Sequence, residues 1–184
     1  RSARHTLSVF PDGVDAVITN AAGCGSGLKE YRLWLRGEPE EPAATVLGDL
    51  SLDVSVYLSR LGLRPPPPAT GTTPLRVAYH DACHLAHGQG VTAEPRALLR
   101  SLPGVELVEV AGGPACCGSA GTYNVEQPAL AAELGRRKAA AIQDTTPDVV
   151  VTGNIGCLTQ LRAWLDAGVP VMHLMQLVAV AYGP

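Results

Sequence analysis

No stretch of this 184-residue chain approaches the roughly 20 apolar residues that a bilayer-spanning helix requires. The longest apolar run, Leu174 to Tyr182, is interrupted by Gln176. Arg1-Ser2-Ala3-Arg4-His5 is polar and leads into a segment of strand character, so no secretory leader is expected in these residues. A basic surplus is also missing. With a net charge of −3, no cationic stripe could neutralise a phosphate backbone, which argues against nucleic acid and acidic membrane as partners. There is no Ser/His/Asp set and no local carboxylate pair. Gly23-Cys24-Gly25-Ser26-Gly27 is glycine-rich but lacks the Gly-x-x-x-x-Gly-Lys form of a phosphate loop. An initiator methionine is absent too, so the chain is expected to be a piece of something longer. The composition is 46% apolar and 17% charged, which suits a globular core. Five cysteines, an odd number, with no leader point to a reducing, cytoplasmic setting. There, thiols serve as ligands or catalysts more often than as disulfides.

Four of those five cysteines form one pattern: Cys83, then Cys116-Cys117-Gly118, then Cys157. Each sits among small, glycine-rich or polar residues that read as loops. Soft sulfur donors on three separate loops suit a metal centre, and they select zinc, copper(I) or iron–sulfur. The spacing is unlike the short Cys-x₂-Cys knuckles of structural zinc sites, so iron–sulfur ranks above zinc. Gly112, Gly113, Gly118 and Gly121 would let the backbone approach the centre and donate N–H groups to sulfur. A helix expected just after Cys157 would add partial positive charge. His80, Asp81 and His84 flank Cys83. They read as groups supporting the ligands, with imidazole ligation as the alternative. His87 and His173 read as ordinary surface or edge residues, and Asp15 and Asp148 as turn or capping residues before strands.

The chain contains a partial internal repeat. Val14-Asp15-Ala16-Val17-Ile18-Thr19-Asn20-Ala21-Ala22-Gly23-Cys24 resembles Pro147-Asp148-Val149-Val150-Val151-Thr152-Gly153-Asn154-Ile155-Gly156-Cys157. Leu28 then faces Leu161, and Tyr31 faces Trp164. Residues 14–35 and 147–168 are expected to form equivalent strand–turn–helix units. Apolar runs at Val14–Thr19, Leu75–Tyr79, Val105–Val110, Val149–Thr152 and Val169–His173 predict strands buried on both faces, as in a parallel sheet. Helical patterns cover Leu47–Leu63, Glu94–Leu102, Val125–Ile142 and Leu158–Leu165, with Pro128 starting or kinking the third. The fold class is α/β, a mostly parallel sheet with flanking helices. Three of the strands would lead into the cysteine loops at their C-terminal ends, the edge where open α/β sheets bind ligands. Residues 1–64 read as the end of a first, incomplete repeat, 65–74 as a Pro/Thr-rich linker, and 75–184 as a complete second repeat.

Several motifs resemble one family closely. His80-Asp81-Ala82-Cys83-His84, Ala115-Cys116-Cys117-Gly118-Ser119-Ala120-Gly121 and Thr152-Gly153-Asn154-Ile155-Gly156-Cys157-Leu158 look like the cysteine-rich CCG domain. That domain occurs in heterodisulfide reductase, in anaerobic glycerol-3-phosphate dehydrogenase and in lactate-utilisation proteins. The resemblance is strongest to the iron–sulfur subunit of glycolate oxidase. Asn20-Ala21-Ala22-Gly23-Cys24-Gly25 resembles the end of that family's first repeat. The likeness implies pseudo-duplicated CCG repeats and a centre held by Cys83, Cys116, Cys117 and Cys157. It implies electron transfer from a flavin-containing dehydrogenase subunit, the bearer of FAD, toward a quinone or other acceptor. It also implies a ferredoxin-like N-terminal portion of the same subunit, and a peripheral membrane position through partners. The fuller family pattern ends in Cys-x-x-Cys, and Asn154 stands at the first of those positions. Four thiolates therefore suggest a [4Fe–4S] cluster, with Asn154 and Gly118 beside it. Cys24, the counterpart of Cys157, would be the ligand of a second, incomplete site. The alternatives are a thiol-redox domain like heterodisulfide reductase, or a structural zinc domain that docks subunits.

Overall fold

Leu75–His80 and Val149–Thr152 lie side by side as parallel strands, and the rest of the second half is built outward from that pair. The computed structural model describes residues 1–11, 13–67 and 73–183. The core of the expected linker, residues 68–72, lies outside the described residues. In chain order the first half comprises α1 (Ser2–Val9), β1 (Val17–Thr19), α2 (Ala22–Trp34), α3 (Glu41–Leu50), β2 (Ser51–Asp53) and α4 (Val54–Leu61). The second half comprises β3 (Leu75–His80), a π-helical turn (His84–Gly88), α5 (Ala93–Arg100), β4 (Val105–Val108), α6 (Tyr123–Glu126), α7 (Pro128–Gln143), β5 (Val149–Thr152), α8 (Ile155–Trp164), β6 (Val171–His173) and α9 (Leu174–Tyr182). Pro128 starts α7, where its missing N–H costs nothing.

The strands form a four-stranded sheet in the order β4-β3-β5-β6 and a two-stranded sheet β1-β2, and every pairing is parallel. The fold is α/β. Side chains alternate across the larger sheet. Val77, Tyr79, Val149 and Val151 pack with Leu98, Leu99, Leu174 and Leu177 on one face. Ala78 and Val150 pack with Ile142, Leu158 and Leu161 on the other, and Cys117 and Cys157 belong to that second cluster. Burial on both faces explains the continuous apolar runs.

The repeat extends further than the sequence match. β1 and β5 each lead, two residues on, into a helix whose third residue is the cysteine, Cys24 in α2 and Cys157 in α8. The second strands correspond as well. Thr19 pairs with Asp53 in the first half, as Thr152 pairs with His173 in the second. Asp53 and His173 then both cap the following helix, each accepting a hydrogen bond from the backbone N–H two residues on.

Three expectations are corrected here. Leu47–Leu63 is not one helix, since β2 interrupts it. Ser51 is fully buried and its hydroxyl bonds the Leu47 carbonyl, which ends α3, and Asp53 caps the new start at α4. The N-terminal residues form the helix α1 rather than a strand, and its Ala3 packs against Leu35 and Ala44. His173 is also more than an edge residue: its Nε2 meets the Asn20 carbonyl of the first half at 2.6 Å.

Candidate metal centre

The three cysteine loops leave the C-terminal ends of β3, β4 and β5. From β3 the chain passes to β4 on one side, and β5 takes the other, so the strand order reverses between β3 and β5. Loops diverge at such a point and leave a crevice. Cys24, Cys83, Cys116, Cys117 and Cys157 line one cavity of about 480 Å³ there, with His84, Asn154 and Ile155. All five cysteines are free thiols; Cys117 and Cys157 are buried, Cys83 and Cys116 half-buried, and Cys24 exposed. Cys24 was expected at a site of its own. The structure puts it in the wall of this cavity, because the α2 turn abuts the α8 turn: Ala22 N donates to the Gly153 carbonyl at 3.1 Å.

The sulfurs are wired to each other and to the backbone. Hydrogen bonds from Cys117 and then Cys83 drive the Cys116 thiol down to about 2, and the Gly118 N–H adds to this from 3.3 Å. Cys157 is lowered to about 5, first by Cys117, then by the nearby His80 ring and the Asn154 amide, whose Nδ2 is 3.4 Å from the sulfur. Cys117 and Cys83 are pushed up, first by their interaction with Cys116, with burial adding to it. Within the set, Cys116 and Cys157 are the thiols pushed toward the thiolate form. Cys157 gains further from its place in the first turn of α8, which begins two residues before it rather than after it.

The residues expected to support the ligands divide into two groups. Gly118 and Asn154 touch sulfur directly, and Cys83 Sγ lies 3.7 Å from His84 Nδ1. Asn154 also accepts from Gly23 N at 3.4 Å and so ties the α2 turn to Cys157. Asp81 is held instead by Arg96, which grips both its carboxylate oxygens at 2.7 Å. That guanidinium also holds Glu109 at the end of β4 and lies over the Tyr79 ring. His80 is 1% exposed, and one of its ring nitrogens lies with the sulfurs of Cys117 and Cys157 in a group spanning at most 4.8 Å. Neither ring nitrogen has a hydrogen-bond partner.

Gly118 holds φ at +90°, and a Cβ there would sit 2.4 Å from the Ala131 carbonyl oxygen of α7, so only glycine fits. Gly112 and Gly113 do not donate to sulfur; their carbonyls accept from Lys138 Nζ at 2.8 and 3.0 Å. Lys138 is a buried cation on α7 that sequence reading missed. Burial pushes its pKa down, while Asp81 and the thiolates oppose that. Its signal was faint: one lysine on the buried face of α7, beside Ala131, Gly135, Ala139 and Ile142.

The residues suit a centre built from soft metal. Their donors are soft sulfurs, which select iron–sulfur, zinc or copper(I). The orphaned ring of His80 and the N–H of Gly118 add donors suited to anionic sulfur.

Residues 77–162 match the CCG family profile, a cysteine-rich domain. The chain is similar to the probable glycolate oxidase iron–sulfur subunit of Bacillus subtilis (strain 168), with 40% identity over 98% of this chain and 42% of the relative. It is similar to one subunit of the fumarate reductase (CoM/CoB) of Methanothermobacter marburgensis, with 34% identity over 93% of this chain and 33% of that protein. The glycolate oxidase iron–sulfur subunit of Escherichia coli (strain K12) is 33% identical over 92% of this chain and 40% of its own length. The chain spans less than half the length of these curated relatives.

Proposed function

We propose that this chain, which carries a CCG cysteine-rich domain over residues 77–162, is an iron–sulfur electron-transfer module of a glycolate or related 2-hydroxy acid dehydrogenase. Cys83, Cys116, Cys117 and Cys157 hold the centre, a [4Fe–4S] cluster in this reading. A separate flavin subunit oxidises the hydroxy acid, and electrons pass through this subunit toward a quinone or other acceptor. A cytoplasmic location, at the membrane only through partners, completes the reading. The observation that carries it is the meeting of thiols from three loops on one cavity at the strand-order reversal. The similarity to iron–sulfur subunits supports it.

When bound, the cluster supplies a one-electron relay. The chain's own groups prepare that role. The Cys116 and Cys157 thiols are shifted toward the thiolate, the form that binds metal. Gly118 N–H and the Asn154 amide donate to their sulfurs, and such bonds help to set a potential. Lys138, buried under the Gly112–Gly113 turn, places compensating charge nearby.

Anaerobic purification followed by iron, zinc and sulfide analysis and electron paramagnetic resonance tests the reading. Iron with acid-labile sulfide and a signal on reduction is expected. Zinc without iron or sulfide would identify a structural zinc domain. Metal-free protein whose Cys116 and Cys117 cycle between dithiol and disulfide would identify thiol-redox chemistry.

A further inference from the structure

Three buried polar atoms stand without partners on one face of the main sheet. Both ring nitrogens of His80 and the Thr152 hydroxyl lack any hydrogen bond, although His80 is 1% exposed and Thr152 fully buried. Orphaned groups at such depth cost free energy, so each needs an explanation. The two residues are register partners across β3 and β5. Alternation places them on the face of Ala78 and Val150, the face against which Cys117 and Cys157 pack. An imidazole nitrogen of His80 is within 4.8 Å of both sulfurs.

We propose that Thr152, His80 and Cys157 form a hydrogen-bonded chain that sets the reduction potential of the centre. The Thr152 hydroxyl donates to one ring nitrogen of His80, which fixes the neutral tautomer. The other nitrogen, now the N–H, donates to the Cys157 thiolate once that sulfur is held by metal. These two bonds together give all three orphaned atoms a partner. A donor to a ligating sulfur withdraws electron density and favours the reduced cluster, so the chain raises the potential. His80 is thus a positioning and tuning residue, and Thr152 acts through it. The consequence for potential rests on the iron–sulfur reading above.

The test is a redox titration, followed by electron paramagnetic resonance, of the anaerobically reconstituted full chain. His80→Leu should keep iron and sulfide per chain unchanged and move the midpoint to a more negative potential. His80→Gln, which keeps a donor and an acceptor, should restore most of the shift. Thr152→Val should move it the same way by less, and should add nothing in the His80→Leu background. An unchanged midpoint in His80→Leu overturns the proposal. So does a strongly coupled ¹⁴N signal in the reduced wild type, which would make His80 a ligand. Where His80→Leu fails to assemble the centre, Thr152→Val decides, and an unchanged midpoint there overturns it. Wild-type protein that takes up no iron and sulfide overturns the electron-transfer reading instead. The chain is then judged in zinc-loaded protein by nuclear magnetic resonance. A slowly exchanging His80 imidazole N–H is expected, and a fast-exchanging one overturns the proposal.

Discussion

Each cysteine of the set has a different environment, and substitutions should report that difference. Cys117 is buried, and its titration is tied first to Cys116 and then to Cys157. Cys24 is exposed at the cavity wall, outside that sulfur network. Cys117→Ser should remove most of the bound iron, whereas Cys24→Ser should leave iron per chain unchanged; equal losses would make Cys24 part of the centre. Asp81 poses a different residue-scale question. Its buried carboxylate depends on the two-pronged grip of Arg96. Removing the guanidinium leaves a buried charge unpaired, which costs about 3 kcal/mol. Arg96→Ala should therefore lower the unfolding free energy read from denaturant titration by that amount, and Arg96→Lys should recover only part of it, since an ammonium cannot span both oxygens. At this scale the sequence was partly legible. Cysteines announce themselves because few other roles fit four thiols on glycine-rich loops. Arg96 and Lys138 do not, because their partners are carbonyls and carboxylates that only folding brings near.

Helices and strands position the site through close approach rather than through loop stiffness. The α2 helix lies directly on the π-helical turn after Cys83. A Cβ on Gly25 would meet Thr19 Oγ1 and Gln89 Nε2 at 2.7 Å, and one on Gly88 would meet Ser26 Oγ at 2.8 Å. The glycine run 23–27 thus serves helix packing. Its glycine content suggested no phosphate loop, but contact with the cysteine loop was not legible either. Gly118 is the stricter case, because its hypothetical Cβ meets backbone, which cannot rotate away. Gly118→Ala should cost more than about 2 kcal/mol from overpacking and left-handed backbone together, with loss of metal binding. Circular-dichroism melts with metal analysis would check it, and a wild-type Tm with full iron would contradict the packing argument. Strand positions were legible from apolar runs, and strands longer than observed were expected at Val14–Thr19, Val105–Val110 and Val169–His173. The short β2 was not legible, because Ser51-Leu52-Asp53 carries neither a long apolar run nor a turn signal. Parallel pairing with β1 makes it a strand, a tertiary effect that propensity cannot show.

At the scale of the whole molecule, the two halves meet through their matching caps. His173 reaches the Asn20 carbonyl, α4 packs on α5, and the Asp53 carboxyl lies in the field of His173 and Glu94. Burial raises the Asp53 carboxyl above its ordinary 3.8, against hydrogen bonds from Ser55 and the lowering effect of His173. The folded protein therefore holds this proton more tightly than the unfolded chain does. The stability it contributes is complete below pH 3.8 and is lost as pH rises through the raised folded value. Asparagine imitates the neutral carboxyl and keeps the oxygen that accepts from Ser55 N. Asp53→Asn should match the wild type below about pH 4 and become the more stable protein as pH rises. Asp53→Ala loses the helix cap as well, and should be less stable than Asp53→Asn by about 1 kcal/mol at every pH. Urea midpoints from about pH 3 to about pH 8 would read both effects. A wild-type advantage over Asp53→Asn that grows toward high pH would mean that the carboxylate is stabilised at this joint, through His173, more than burial penalises it.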